Sequence, residues 1–381
     1  MADLYDLVLE KLDTLGKGYP RTEKGVERHF IEKVFTEEDA KFFLKMKMGN
    51  YTIQETADYI GISYEEAKEN LERMAKHNLL FWQYGPYDTE KRYRLIPFIH
   101  GIWEYNVDRI DSEDAKNMGY YYKNGMGESL FDYRLPISRV VPISKDAVKD
   151  GKILPMDDMV EVIKRQYLIV ITDCACRKVA RFGKPCNCGE TLNRCMYFGD
   201  TARFYLDQNI GNTRVITTEE ALKIVKENDE LGLFLMTGHS IEPSSMCSCA
   251  GCHCGILMAA KISVRSGPKP GKQTFDRWGN YKCVKDTDKC IQCGICITRC
   301  PMRAHKKNTE DESKVEYNPA LCIGCGLCVT SCAQDALILE RKPDDELSIP
   351  EHRLSYDNFD RMAIEKVEVD AMRAAMAQND E

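Results

Sequence analysis

The sequence predicts an α+β chain of several domains. Helices and one hairpin come first, strands alternate with helices in the middle, and two matched cysteine runs lie near the end. Three observations carry this. Capped amphipathic helical stretches fill the N-terminal part, as in FTEEDAKFFLKMKM. Short apolar runs such as YLIVIT and GLFLMT alternate with helical patterns between 136 and 262. All 18 cysteines lie at or beyond Cys174. The expected division is 1–34, an N-terminal helical segment; 35–98, helices and a hairpin; 99–135, a helical connector; 136–262, a Cys-rich α/β domain; 263–280, a linker; 281–342, the paired cysteine runs; and 343–381, a charged tail ending in a helix.

Composition narrows the class. With 381 residues the chain can build two or three cores. Lys and Arg number 53 against 60 Asp and Glu, a net charge of −7, which does not suit nucleic acid or an anionic membrane. The start, MADLYDLVLEKLDTLGKGYP, reads as a helix ended by Gly and Pro rather than a leader. No apolar run is long enough to span a membrane, so a cytoplasmic protein without a membrane span is expected. In such a chain 18 cysteines point to metal, because a reducing compartment does not sustain a disulfide lattice.

In the first domain Thr36 caps a helix whose first turn carries Glu37, Glu38 and Asp39. TIQETADYIG, the turn at Gly61–Ile62 and SYEEAKENLERMAKHNLL follow, with Ser63 and Glu66 spaced as a capping box. LLFWQYGPYDTEKRYRLIPF then reads as a hairpin turning near Gly85–Pro86 or Asp88–Thr89. Together these elements resemble a winged-helix domain. That resemblance implies either DNA binding or partner docking. The second helix carries Glu65, Glu66, Glu69 and Glu72 against Lys68, Arg73 and Lys76, and acids at its start would face phosphates. Docking is therefore the expectation, although Lys91, Arg92 and Arg94 on the hairpin keep DNA as an alternative. In the connector, Tyr120, Tyr121 and Tyr122 cannot all share one helix face, so at least one is exposed or at an interface.

From Pro136 the pattern reads RVVPI strand, PMDDMVEVIKRQ helix, YLIVIT strand, DTARFYLDQN helix, RVI strand, TTEEALKIVKEN helix opened by Thr217 and Glu220, and GLFLMT strand. A mainly parallel sheet is expected, with sites beyond the carboxyl ends of its strands. DCACR, PCNCG, NRCMYFG and MCSCAGCHCG occupy those places. Two ligand sets of four can be drawn: Cys174, Cys176, Cys186 and Cys195, with Cys188 spare, and Cys247, Cys249, Cys252 and Cys254. Each has the thiolate count of a [4Fe–4S] cluster or a zinc site, and one or two iron–sulfur clusters are preferred to zinc. The division itself stays open, as does a cluster with one iron accessible to substrate. His253 is a candidate odd ligand or a hydrogen-bond donor; Arg177 and Arg194 either offset charge there or pair with acids.

Past the Gly/Pro/basic stretch SVRSGPKPGKQ comes CIQCGICITRCP, then CIGCGLCVTSCA. The first is C-x2-C-x2-C-x3-C-P, and the second repeats the spacing with Ala333 in place of proline. These runs resemble the bacterial 2[4Fe–4S] ferredoxins over about 281–340. The fourth Cys of each run serves the other cluster in that pattern. The resemblance therefore implies one cluster on Cys290, Cys293, Cys296 and Cys332, and a second on Cys322, Cys325, Cys328 and Cys300. Gly294, Gly324 and Gly326 suit the tight turns. KCVKDTDKC and KVEYNPALC look like the short strands that pair in that fold, and MRAHKKNTEDESK like a surface excursion. Cys283 lies outside the motif as a strand cysteine. The whole pattern also looks like a group of anaerobe iron–sulfur proteins with no single activity.

A multi-cluster electron-transfer protein follows as the functional expectation, passing low-potential electrons between protein redox partners or to its own central clusters. No G-x-G-x-x-G after a strand and no Walker lysine is present, so nicotinamide, flavin and nucleoside triphosphate sites are not expected. The alternatives are a reductase whose open central cluster is the catalytic site, and a redox-sensing winged-helix regulator. Oligomeric state is not legible.

Overall fold

The structure is a computed structural model, and it describes residues 3–84, 89–183, 192–267, 269 and 278–379. The N-terminal half begins with helices Leu4–Asp13, Glu27–Val34, Glu37–Lys45, Ile53–Ile60 and Tyr64–Lys76. Local chemistry sets their starts. Thr36 and Asp39 form a reciprocal capping box, as do Thr52 and Glu55. At Ser63 only half of the expected box forms: its Oγ accepts from the Glu66 amide. The same holds at Thr217, because Glu220 turns to Arg214 instead. Asp39 is fully buried and also takes Arg73 Nε at 3.1 Å and His77 Nδ1 at 2.7 Å, so one carboxylate joins the third helix to the fifth.

Strands β1 (Leu80–Tyr84) and β2 (Lys91–Leu95) pair antiparallel, from Leu80 opposite Leu95 to Tyr84 opposite Lys91. The tip, with the expected turn at Gly85–Pro86, lies outside the described residues. The hairpin is packed into the molecule rather than projecting from it. Phe81 stacks on Tyr356 with ring centroids 4.1 Å apart and touches Phe204 at 5.0 Å. In the connector helix Ser112–Asn124, Tyr121 and Tyr122 are buried, while Tyr120 is half-buried beneath Lys24.

The central region holds six strands: β3 (Ser138–Val141), β4 (Ile169–Asp173), β5 (Asn193–Phe198), β6 (Arg214–Val215), β7 (Phe234–Gly238) and β8 (Ser245–Cys249). Their order is β3-β7-β8-β5-β4-β6, and every neighbouring pair is antiparallel. The expected parallel sheet is therefore wrong. Alternating strands and helices imply parallel pairing only if each connection carries the chain back along the sheet. Here residues 239–244 simply join β7 to β8, and the Ala175–Arg181 helix after β4, only about 10 Å long at the usual rise per residue, does not run the length of the sheet. Helices Met159–Lys164, Gly199–Asp207 and Thr218–Glu230 accompany the sheet, and Gly255–Ser266 runs past the expected start of the linker.

The last region contains β9 (Tyr281–Lys285), β10 (His305–Lys307), β11 (Val315–Tyr317) and β12 (Leu337–Arg341). The strands preceding the two runs do not pair with each other. Instead β9 pairs with β12 and β10 with β11, so the presumed surface excursion is a β-ribbon closed on the second run.

This region is fastened to the sheet at several points. The Ile143 amide donates to the Cys325 carbonyl at 2.9 Å, and Tyr281 Oη accepts from the Leu154 amide at 2.7 Å. Arg299 caps the C-terminus of the Thr218–Glu230 helix, donating to the Asp229 carbonyl at 2.6 Å and its carboxylate at 2.8 Å. Arg139 and Asp157, both fully buried, pair at 2.8 Å. Arg139 also donates to the carbonyls of Gly238, Ser240 and Met156, each at 2.8 Å, and Asp157 accepts from Asn280 at 3.0 Å.

The tail helix, Ser355–Asn379, folds back on its own chain. Asp360 accepts from Arg94 at 2.6 Å, Glu365 from the Leu135 amide at 3.0 Å, and Asp132 from Arg373 at 2.8 Å. One apolar core runs from Val8 through the sheet to Met362.

Candidate metal centres

The two C-terminal runs build two chambers. Cys290, Cys293, Cys296 and Cys332 line one, and Cys300, Cys322 and Cys325 line the other; Cys328 lines both. Backbone shape brings them there. Gly294, Gly324 and Gly326 have φ of +79°, +70° and +81°, the left-handed region that lets the chain turn tightly between ligands. Gly324 has a second reason to be glycine: a Cβ there would stand 2.3 Å from the Tyr281 carbonyl oxygen. Amides point at sulfur in the second chamber. Cys322 Sγ accepts from the amides of Cys283 and Gly324, both at 3.4 Å, and Cys300 Sγ accepts from Ala304 at 3.2 Å. Burial pushes the Cys296 thiol up to about 11 and raises Cys325 well above its ordinary value. A metal entering either chamber therefore displaces protons.

Two groups in the second chamber were not singled out from sequence as site residues. Cys283, His305 and Cys328 bring ligand atoms within 4.8 Å of one another, all buried. Cys283 Sγ lies 3.8 Å from Cys328 Sγ, and His305 stacks on Tyr317 with its Nδ1 lacking a hydrogen-bond partner among the described residues. Neither residue belongs to the motif spacing, so only the fold brings them in. Cys283 is the strand cysteine the sequence suggests.

The central cysteines arrive by another route. They do not sit only in loops: Cys195 is in β5, and Cys247 and Cys249 are in β8. Met196 pairs with Met246, which sets Cys195 directly opposite Cys247 on the same sheet face. Cys174 follows β4, its amide bonded to the Leu192 carbonyl, and Cys254 caps the Gly255–Ser266 helix. The thiols neighbour one another in series: Cys176, Cys174, Cys195, Cys247, Cys249, Cys254. Cys174 and Cys247 each accept from two thiols and are drawn well below the usual thiol range, while Cys176, Cys195 and Cys249 are pushed up.

The two expected sets of four thus adjoin one another on the sheet. Cys195, from the first, touches Cys247, from the second. Cys252 is exposed and keeps to the edge, 3.6 Å from His253 Nδ1. Cys186 and Cys188 lie outside the described residues. Burial lowers His253 to about 4, which keeps the ring neutral. Arg194 pairs with Glu227 at 3.0 Å, and Arg177 donates to the Ser248 carbonyl.

Three side chains from the connector cover this thiol group. Tyr122 packs so closely on Gly255 that a Cβ there would stand 2.0 Å from its Oη. His100 and Glu104 stand near Cys247, and burial pushes the Glu104 carboxyl up to about 8, despite a 2.9 Å bond from the Gly101 amide. On the other side the C-terminal region makes contact: a Cβ on Gly251, between Cys249 and Cys252, would lie 3.3 Å from the Pro301 carbonyl oxygen. Pro301 follows Cys300, so the second chamber abuts the central thiols.

Among the described residues, no helix is long and apolar enough to cross a membrane. No curated protein and no solved structure matches the chain. Residues 282–346 match the family described as the 4Fe-4S dicluster domain. The C-terminal region is therefore an iron–sulfur domain of ferredoxin type, in a chain whose cysteine content suggests electron transfer.

Proposed function

We propose that the protein is a multi-cluster electron carrier whose ferredoxin-type domain exchanges electrons with a protein partner and whose central thiols hold at least one further iron–sulfur cluster. In this reading Cys290, Cys293, Cys296 and Cys332 hold one [4Fe–4S] cluster, and Cys300, Cys322, Cys325 and Cys328 the second. Bound clusters of this kind supply one-electron redox chemistry. The chain supplies burial, amide donors to sulfur and the closeness of Pro301 to Gly251, which joins the second chamber to the central thiols.

The observation that carries the central assignment is the unbroken series of six thiols. A structural zinc site closes with four ligands, and two separated sets of four would suit it. Six thiols in series, with Cys252 at the rim, exceed the ligand count of one such zinc and supply more than the four that an iron–sulfur cluster takes. The reading is tested by reducing anaerobically purified protein and counting EPR spins. More than two reducible clusters per chain support it, with the excess abolished by Cys195→Ser plus Cys247→Ser. Two clusters in both proteins would sink it.

The helix-and-hairpin region reads better as a docking module than as a DNA reader. Glu65, Glu66, Glu69 and Glu72 are all exposed on its last helix. The hairpin cations are already engaged: Lys91 lies over Trp82 at 3.9 Å, Arg92 pairs with Glu55 at 3.1 Å, and Arg94 is buried against Asp360. The second reading, a reductase working at the central site, is favoured by one feature: the half-buried His100 and Glu104 near Cys247 are groups that can hold or move a proton there.

A further inference from the structure

We propose that the chain binds a small organic anion in the cleft between the β1–β2 hairpin, the start of the Gly199–Asp207 helix and the segment leading into the tail helix. The cleft measures ≈ 1170 Å³, large enough for a substrate- or cofactor-sized molecule. Its cations are Arg165, Arg203 and Arg353, and its carboxylates are Asp200, Glu242 and Asp357. These charges do not cancel in pairs. Arg353 and Glu242 pair at 3.0 Å. Asp200 accepts from Tyr167 Oη at 2.8 Å, and Asp357 lies 3.9 Å from Arg94. Among the described residues Arg165 and Arg203 have no carboxylate within ion-pair distance.

Arg203 is held by aromatic rings instead. Its guanidinium lies 5.2 Å from the Tyr84 ring centroid and 5.9 Å from that of Tyr167. That arrangement orients a planar donor fork without neutralising it, and such a fork matches a carboxylate or phosphate group. Tyr84, Tyr167 and Tyr356 add ring surface for an organic body. The ligand class is thus a carboxylate or phosphate attached to a planar or apolar group.

The position gives the site its meaning. Thr201, Ser244 and Tyr356 line both the cleft and a smaller inner cavity of ≈ 30 Å³, room for about a single water. His100, Glu104 and Tyr197 are among the other residues lining that inner cavity. Tyr197 stands two residues from Cys195 on the same strand face, and Glu104 senses Cys247 and Cys174. The inner cavity therefore stands between the cleft and residues that neighbour the central thiols. The link between ligand and redox chemistry rests on the cluster reading above, but binding itself does not.

The test titrates benzoate and phenyl phosphate into the full-length protein by calorimetry, with benzamide as the neutral counterpart. Saturable binding of at least one anion is expected, tenfold or more weaker for benzamide and for Arg203→Gln. Arg203→Lys, which keeps charge but loses the fork, should fall between. Arg214→Gln, on β6 and paired with Glu220, serves as the control and should bind like wild type. Matching thermal midpoints exclude misfolding. Failure of both anions to bind, or binding equal in wild type, Arg203→Gln and Arg165→Gln, overturns the proposal. Iron is assayed on the same samples. Binding with iron for only two clusters would leave the anion site standing and remove the central cluster; full iron without binding would do the reverse.

Discussion

In the C-terminal region the motif cysteines sit on turns and short helices whose shape is set within each run, whereas in the central region Cys195, Cys247 and Cys249 sit on strands, where cross-strand register decides what they face. The first arrangement keeps ligands in two chambers, with Gly294, Gly324 and Gly326 taking the left-handed backbone that the spacing needs. The second draws Cys174, Cys195, Cys247 and Cys249 from three strands or their ends into one group. A local motif tolerates changes elsewhere in the fold. A register-built site depends on the whole sheet.

The sharpest way to break the comparison is to remove ligands from each side. Cys325→Ser should cost about four iron per chain and leave the central site loaded, while Cys195→Ser plus Cys247→Ser should remove only the central iron. Metal analysis and EPR of the two proteins check this. Loss of all iron from either one would mean that the sites are not separable.

Next in size is the buried ion pair inside the central region, which the C-terminal region reaches through Asn280. Arg139→Met leaves Asp157 buried without its cation, which is expected to cost about 3–5 kcal/mol in denaturant unfolding. An exposed pair such as Lys152 with Asp150 should cost under about 1 kcal/mol when broken. Equal effects would show that the buried Arg139–Asp157 pair contributes no more than an exposed one.

Smaller still is a pH effect at the connector. Burial raises Glu104 from 4.5 to about 8, so the folded chain holds a proton that the unfolded chain releases. Stability should thus fall as pH rises from about 4.5 to 8, by up to a few kcal/mol, and stay reduced above that window. Glu104→Gln should flatten this part of the profile in thermal melts from pH 5 to 9. An unchanged slope would place the titration elsewhere.

How much of this was legible follows the same divide. The C-terminal ligands could be named from spacing alone, because two-residue gaps define the turn that carries them. Capping predicted the helix starts at Thr36, Ser63 and Thr217, though not that Glu66 and Glu220 would leave the reciprocal half unmade. The strands of the central sheet were readable as apolar runs, but their direction was not, since alternation of elements does not report where a connection ends. With direction unknown, the Cys195–Cys247 pairing is out of reach, and nearness in sequence is the only guide to grouping the cysteines. His305, Glu104 and Arg203 carry no local signal at all; each matters through residues distant in the chain. The sequence shows the tail only as charged and ending in a helix, whereas Asp360 and Glu365 fasten it to Arg94 and Leu135 of its own chain.

The most direct test of the central claim is iron, acid-labile sulfide and zinc per chain on anaerobically purified protein. About twelve to sixteen iron, with matching sulfide and no stoichiometric zinc, is the predicted result. About eight iron with one or two zinc would contradict it, leaving a ferredoxin-type domain on a zinc-bound scaffold.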